Sequence, residues 1–203
     1  MSDKRHLDFS RLECGDDPFP HFCVADLLQP DVGRALLAWL DGTDAWSLTE
    51  AEFYTQYEFS LLDFLPPGEL RHLLDSETIR EISVNLESAL GAQSLQLAAV
   101  TAHRLADGHR IGIHNDFIGR EETHRLVIQL NPTWEDAHGG YLLLFRSKDA
   151  RDVAKLVKPL MGSAFGFEIS PRSYHAVSAV RGVARHSLVY TFKEANDGAS
   201  NRH

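Results

Sequence analysis

The residues of this chain that are best suited to chemistry are His114 and Asp116, with His175 and Arg185 further along. His114 and Asp116 lie two positions apart in the alternating run Ile111–Asp116, so a regular strand would present both side chains on one face of a sheet. An imidazole and a carboxylate on one face are two members of the 2-His-1-carboxylate triad that binds Fe(II) in non-haem oxygenases. His175 enters a later apolar run and is the candidate for the third ligand.

Arg185 adds a binding group for an anion. A facial triad leaves positions of an octahedral iron open, which suits a chelating 2-oxo acid and O2. A guanidinium beyond the metal can bind the far carboxylate of such an acid through two parallel hydrogen bonds. These residue types therefore favour an iron site with an anion-binding arginine.

Histidine is common here, with 11 residues among 203, so an isolated His-x-Asp match carries little weight. His6-Leu7-Asp8 is a second match, but it lies in a polar segment without a strand pattern, and we interpret it as a solvated tail. His138 and Lys148 repeat the His-to-cation spacing in a sequence typical of a turn. Strand context and the distal His–Arg pair distinguish the site at His114.

The motifs around these residues resemble those of the iron- and 2-oxoglutarate-dependent dioxygenases, in particular the prolyl-4-hydroxylase-like branch. The matching elements, in chain order, are Gly108, His114-Asn-Asp116, Leu130-Asn131, Trp134, Gly139-Gly-Tyr-Leu142, His175-Ala-Val177 and Gly182-Val-Ala-Arg185-His-Ser187. The resemblance covers residues 95–193. It implies Fe(II) as the metal, 2-oxoglutarate and O2 as co-substrates, and ascorbate as a candidate reductant.

The resemblance also implies roles for individual residues. The two histidines and Asp116 would be the metal ligands, and Arg185 would position 2-oxoglutarate. The branch commonly has aromatic residues, often tyrosine, where this chain has Leu105 and Ile111. The tyrosine at the second of these positions often contacts 2-oxoglutarate, and Ser187 is the candidate to replace that contact because it shares a strand face with Arg185.

The activity implied is hydroxylation of an unactivated C–H bond with release of succinate and CO2. The resemblance favours an amino-acid side chain as the substrate, either in a peptide or protein or as a free amino acid. A natural-product scaffold is the alternative. The aromatic segment with Phe53, Tyr54, Tyr57 and Phe59 either closes over the substrate or forms a helix that packs on the sheet.

Two other classes of protein compete with this interpretation. A cupin-like metal-binding or sensor domain would hold a metal without oxidising a substrate, but it would not need Arg185 and Ser187. A zinc hydrolase could use the same triad, yet the sequence near His114 contains no obvious glutamate to act as general base.

Composition excludes several other functions. The 43% hydrophobic and 24% charged fractions are those of an ordinary globular protein. The net charge of −9 argues against a nucleic-acid substrate, which needs clustered basic residues. Without a long apolar run or a signal peptide, and with only Cys14 and Cys23, we expect a cytoplasmic protein with no membrane partner. The sequence does not predict an oligomeric state.

The order of helical and strand patterns predicts an α+β fold with a double-stranded β-helix core, a cupin-like jelly roll with flanking N-terminal helices. We expect a flexible segment over residues 1–18, a single domain over 19–193 and a disordered tail over 194–203. Within the domain, residues 29–91 are expected to be helical and 95–193 to form the β-helix.

Local signals define the elements within these ranges. Asp31 is expected to cap a first helix, and Ser47–Glu50 and Thr78–Glu81 both have the form of a capping box. The second box predicts a helix that ends at Gly91. Strands are predicted over 95–105, 109–114, 124–130, 140–145, 155–160, 163–167, 174–180 and 185–192.

Overall fold

The structure is a computed structural model that describes residues 7–119 and 121–195. Its helices are α1 (Pro30–Gly42) and α2 (Ser76–Leu90), with short 3-10 helices at Gly68–Leu74 and Asp136–His138. Its strands are β1 (Leu12–Gly15), β2 (His21–Val24), β3 (Ser47–Glu50), β4 (Thr55–Ser60), β5 (Leu95–Leu105), β6 (Ile111–His114), β7 (His124–Gln129), β8 (Leu142–Phe145), β9 (Val153–Val157), β10 (Ala164–Glu168), β11 (His175–Val177) and β12 (Arg185–Glu194).

These strands form two antiparallel sheets. The large sheet has the order β1-β2-β10-β7-β12-β5-β4-β3, and the small sheet has the order β6-β11-β8-β9. From β5 onwards every connection crosses from one sheet to the other except the one from β8 to β9, a connectivity typical of a jelly roll. The predicted α+β fold with a double-stranded β-helix core is confirmed.

The two faces of the large sheet have different neighbours. On β12, Leu188, Tyr190 and Phe192 are fully buried in the cluster that contains the apolar residues of α1 and α2. The residues between them on β12 face the small sheet, as the two-residue period of a strand requires. The helices therefore cover one face, and the other face is left for a cavity between the sheets.

The end of α2 follows the sequence signals, and its start differs from them by one turn. Gly91 has φ of 74° and ends the helix in the left-handed conformation that glycine adopts easily. The N-cap is Asp75, whose side chain accepts a hydrogen bond of 2.8 Å from the Thr78 amide. Asp75, and not Thr78, therefore begins the helix.

Other predictions for the amino-terminal half were wrong. Ser47–Glu50 is strand β3, which pairs with β4 and extends the large sheet beyond β5, so residues 29–91 are not all helical. Cross-strand pairing overrides the local capping signal there, because Thr49 Oγ1 donates to Glu58 Oε1 at 2.8 Å. The helix α1 starts at Pro30, with Asp31 in its first turn and Gln29 as the N-cap residue.

The chain ends also differ from the expectation. β1 lies within the expected flexible segment and pairs with β2 over four residue pairs. Glu194, expected to begin the tail, is the last residue of β12. Residues 1–6 and 196–203 lie outside the described residues. In the described part of the chain, neither helix has the length and apolarity needed to cross a membrane.

Candidate metal centre

His114, Asp116 and His175 lie together at one end of the small sheet. His114 ends β6 and is paired in register with His175 of β11. The Nε2 atoms of His114 and His175 lie 3.3 Å and 3.2 Å from the two carboxylate oxygens of Asp116. One ligand atom from each residue lies within 4.8 Å of the others, so this donor set can hold a metal ion.

Backbone carbonyl groups orient both imidazoles. The Nδ1 of His114 lies 2.9 Å from the Gly112 oxygen, and the Nδ1 of His175 lies 2.7 Å from the Ser173 oxygen. A carbonyl oxygen can only accept, so each Nδ1 carries the proton and donates it. Each Nε2 therefore has a free lone pair directed at the cluster, as a metal ligand requires.

Asp116 reaches the cluster by a different route from the one that the sequence predicts. β6 ends at His114, so strand alternation does not place Asp116. Asp116 has φ of 59°, a left-handed conformation that aspartate tolerates better than most residues. The turn is held by Asn115, whose Nδ2 donates to the Pro171 oxygen and whose carbonyl accepts from Ser173 Oγ at 2.9 Å.

The Asp116 carboxylate is nearly buried and surrounded by donors. Burial alone would raise its pKa, but the imidazoles of His114 and His175 beside it and the charge of Arg125 hold the pKa of Asp116 well below its usual range. Arg125 Nη1 lies 2.7 Å from Asp116 Oδ2, and its Nη2 lies 2.6 Å from Glu122 Oε2. Asp116 is therefore an anion at neutral pH. Sequence reasoning did not identify Arg125.

A cavity of about 380 Å³ between the sheets joins this cluster to the predicted anion-binding residues. Its wall includes His114, Asp116 and His175 on one side and Arg185 and Ser187 of β12 on the other. A volume in this range suits a small organic ligand. The structure thus brings all five predicted site residues to one cavity.

Arg185 is a buried cation without a partner. Its side chain is 4% exposed, and within residues 7–119 and 121–195 its Nε has no hydrogen-bond partner and no carboxylate forms an ion pair with the guanidinium. Desolvation lowers the pKa of Arg185 to about 10, so the group is still charged at neutral pH. An unpaired buried charge is costly, and an anionic ligand would remove that cost.

Trp134 and Gly140 pack around the stem of Arg185. A Cβ atom on Gly140 would lie 2.7 Å from the Trp134 ring and 3.3 Å from Arg185 Cδ, so only glycine leaves this space. The Trp134 Nε1 donates to the Gly139 oxygen at 2.7 Å. Trp134 is thus a packing residue beside Gly140.

Ser187 belongs to a polar row that crosses the large sheet. It is paired with Gln129 of β7 on one side and with His103 of β5 on the other, so the three side chains leave the same face. Gln129 is 1% exposed, and neither atom of its amide has a partner among the described residues. Burial lowers the pKa of His103 to about 4, so this imidazole is neutral at neutral pH.

Sequence reasoning did not identify Gln129 or His103 as site residues. In the structure His103 lines the cavity. Counting strand pairs outward from Ser187 would have found both residues, but pairing partners are not visible in a single sequence. Of the positions where the related branch has aromatic residues, Ile111 lines the cavity and Leu105 is buried in the core between the sheets.

The aromatic segment forms part of β4 and the loop before it, and only half of it reaches the cavity. Phe53 packs on the His114 ring at 5.0 Å, and Tyr54 lines the cavity. Tyr57 lies on the other face of the strand, where it stacks on His109 at 5.6 Å, and Phe59 is in the core. The helix, one of the two alternatives predicted for this segment, was wrong, and Tyr57 is separated from the cavity.

A larger cavity of about 590 Å³ lies away from these residues. Its wall includes Gln93, Phe117, His124 and Glu168, and it contains none of the triad or Arg185. Size alone would favour it, but its donor set among the described residues is not one that binds a metal ion. We therefore place the candidate site in the smaller cavity, which contains the triad and Arg185.

A sequence profile of the 2OG-Fe(II) oxygenase superfamily matches residues 100–193. This range contains the triad, Gln129, Arg185 and Ser187. No curated protein sequence matches the chain.

Solved structures of related enzymes share the fold. A prolyl-4-hydroxylase from Pseudomonas putida has 22% sequence identity and a TM-score of 0.68, covering 86% of this chain and 92% of its own. A prolyl hydroxylase from Trichoplax adhaerens was solved with a peptide fragment of the hypoxia inducible factor oxygen degradation domain. It has 15% sequence identity and a TM-score of 0.72, and the match covers 86% of this chain and 83% of the hydroxylase. The carbocyclase SnoK from nogalamycin biosynthesis has 13% sequence identity and a TM-score of 0.67, and the match covers 96% of this chain and 85% of SnoK.

Proposed function

We propose that this protein, a 2-oxoglutarate-dependent dioxygenase whose residues 100–193 belong to the 2OG-Fe(II) oxygenase superfamily, hydroxylates an unactivated C–H bond of an amino-acid side chain. In the balanced reaction, the substrate, O2 and 2-oxoglutarate give the hydroxylated substrate, succinate and CO2. One oxygen atom enters the substrate, and the other enters succinate.

The observation that carries this proposal is the shared cavity of the triad and Arg185. A divalent metal fits the cluster because two free Nε2 lone pairs and an ionised carboxylate converge there. A dicarboxylate co-substrate fits the opposite side because Arg185 is buried and charged there and has no ion-pair partner among the described residues. A cupin-like metal holder or a zinc hydrolase would have no use for that second group.

Each residue then has a defined task. His114 and His175 bind Fe(II) through Nε2, and Asp116 binds it through a carboxylate oxygen. Arg185 binds the far carboxylate of 2-oxoglutarate with charge-assisted hydrogen bonds, and Ser187 and the Gln129 amide donate to the same group. Bound Fe(II) and 2-oxoglutarate supply the O2 activation that no protein side chain can perform.

The remaining wall of the cavity keeps water out. Val127 and Val189 of the large sheet and Val177 and Leu142 of the small sheet line the space between the polar groups. Apolar walls of this kind strengthen the ion pair to Arg185, because fewer water molecules compete for it. Phe53 and Tyr54 lie at the metal end of the cavity and are the side chains that we assign to substrate contact.

An amino-acid side chain is the substrate class that we would test first. The T. adhaerens prolyl hydroxylase was solved with a peptide, and the P. putida enzyme is a prolyl-4-hydroxylase. Proline-containing peptides are therefore the first group of candidate substrates to test. Free amino acids form the second arm. Natural-product scaffolds form the third.

The test uses the protein with Fe(II), 2-oxoglutarate and ¹⁸O2, with mass spectrometry of each candidate substrate. We expect one ¹⁸O atom in the substrate and an equal amount of succinate, both lost in Asp116→Ala. Succinate release with no oxygen transfer to peptides or free amino acids would overturn the substrate class. Absence of any 2-oxoglutarate binding or turnover would overturn the enzyme assignment of this site.

A further inference from the structure

We propose that Arg125 is a positioning residue that holds Asp116 in coordination through a single oxygen and so keeps one more position of the metal open. This inference rests on the proposed function, because it concerns how the triad binds its metal. Arg125 lines the cavity together with its two carboxylate partners, Asp116 and Glu122.

The guanidinium of Arg125 bridges two carboxylates of the connection between β6 and β7. Arg125 is on β7, and both partners precede it in the chain, Asp116 just after β6 and Glu122 just before β7. Its Nη1 lies 2.7 Å from Asp116 Oδ2 and its Nη2 lies 2.6 Å from Glu122 Oε2. The Asp116 side chain is 12% exposed and that of Arg125 is 23% exposed, so solvent screens this contact only in part.

This contact distinguishes the two oxygens of Asp116. A carboxylate can bind a metal through one oxygen or through both. Each oxygen has one histidine beside it, since Oδ1 lies 3.3 Å from His114 Nε2 and Oδ2 lies 3.2 Å from His175 Nε2. Among the described residues, Arg125 donates its short charge-assisted hydrogen bond to Oδ2 and not to Oδ1. Binding through both oxygens would weaken the Arg125 contact and would occupy a position that the co-substrate and O2 need.

The same contact stabilises an unusual backbone. Asp116 is one of two non-glycine residues with positive φ among the described residues. Such a conformation costs on the order of 1 kcal/mol and persists only where neighbouring contacts enforce it. The ion pair to Arg125 and the Asn115 hydrogen bonds enforce it here, which ties the orientation of the carboxylate to Arg125.

A role for Arg125 in binding the carboxylate of a substrate fits the structure less well. Both terminal nitrogens are already engaged, and its Nε is buried without a partner among residues 7–119 and 121–195. A substrate would have to displace Asp116 or Glu122 to be bound by the guanidinium fork.

The test measures Mn(II) binding alone, without 2-oxoglutarate or substrate. Water-proton relaxation gives both the affinity and the number of water molecules on the metal. Arg125→Met should weaken Mn(II) binding about 10- to 100-fold, the usual effect of losing a residue that orients a metal ligand. It should also remove about one bound water, because Asp116 becomes free to bind through both oxygens.

Matched variants separate this role from general stability. Arg146→Met removes another arginine–aspartate ion pair, the exposed one with Asp17, and should leave affinity and water number unchanged. If Arg125→Met does not fold, Arg125→Lys replaces it; a single ammonium cannot hold both carboxylates, so about tenfold weaker binding is expected.

Wild-type water number and affinity in a folded Arg125→Met or Arg125→Lys protein would overturn the inference. Weaker binding with an unchanged water number would also overturn it, since Arg125 would then act on charge and not on coordination. Failure of the wild-type protein to bind Mn(II) would instead count against the proposed function, so the two claims fail separately.

Discussion

Ser187 of β12 lies directly opposite Gln129 of β7, on the face of the large sheet that meets the small sheet. Arg185 precedes Ser187 by two residues on the same strand, and both line the cavity, while the strand pairing directs the Gln129 side chain to the same face of the sheet. Among the described residues, the Arg185 Nε and both atoms of the Gln129 amide are buried without a hydrogen-bond partner. A bound carboxylate would give these groups a partner, which is why we propose that the co-substrate binds at this end of the cavity.

Arg185 should strengthen the binding of 2-oxoglutarate but should not stabilise the ligand-free protein. In Arg185→Gln we expect the KM for 2-oxoglutarate to rise about 10- to 100-fold, the value of a buried charged hydrogen bond. Affinity for Fe(II) should change little. The melting temperature without ligand should stay the same or rise, because an unpaired buried charge has been removed. A parallel loss of metal affinity would contradict this assignment.

The amide of Gln129 allows a finer test. Gln129→Leu keeps the volume and removes a polar group that has no partner in the described protein. We expect weaker 2-oxoglutarate binding by roughly tenfold and a ligand-free protein that is at least as stable as the wild type. Calorimetric titration and thermal unfolding measure the two effects. Asn131→Leu is the control, since Asn131 is also buried but its amide nitrogen donates to the Pro159 oxygen at 2.8 Å, so its loss should lower stability.

Substitutions of the two tyrosines of the aromatic segment, Tyr54 and Tyr57, should affect the enzyme differently. Tyr54 lines the cavity, so Tyr54→Ala should impair substrate hydroxylation and leave uncoupled 2-oxoglutarate decarboxylation intact. Tyr57 stacks on His109 and lies 4.6 Å from the Arg104 guanidinium, so Tyr57→Ala should lower the melting temperature and spare the coupling ratio. Equal effects of both substitutions on coupling would show that the strand does not separate them.

Acid should destabilise the protein through buried histidines. Burial lowers the pKa of His186 to about 4 from 6.5, with Asp41 opposing this shift and Arg104 and Arg185 adding to it. The unfolded state takes up the proton first, so this stability is present above pH 6.5 and is lost as the pH falls towards 4. The loss is on the order of 3 kcal/mol. His186→Leu should therefore show a smaller fall in melting temperature between pH 7 and pH 4 than the wild type.

The β-helix core could be predicted from the sequence because alternation is a local signal. β5 has the predicted bounds Leu95–Leu105, and the face shared by Arg185 and Ser187 follows from the two-residue period of β12. The amino-terminal half was harder, because pairing with β4 makes a strand of Ser47–Glu50 despite its capping-box pattern. Contacts between distant segments decide such cases, and they leave no local trace.

The sequence analysis named the three residues that the structure brings together, but its reason for grouping them is only partly right. Asp116 lies beyond the end of β6 and reaches the histidines through a left-handed backbone, not through strand alternation. Arg125, which holds Asp116, and Gln129, which faces Ser187, could not be found without knowing which strands are neighbours. The residue types were visible in the sequence, whereas the contacts that orient them were not.

The most direct test of the account is the release of succinate from 2-oxoglutarate by the purified protein supplied with Fe(II) and O2. We expect succinate that depends on all three components, with or without substrate. Asp116→Ala, His114→Ala or His175→Ala should abolish it together with Fe(II) binding, while His138→Ala, which alters an exposed 3-10 helix, should retain it. Full iron occupancy and succinate release in the His114→Ala protein would contradict the account.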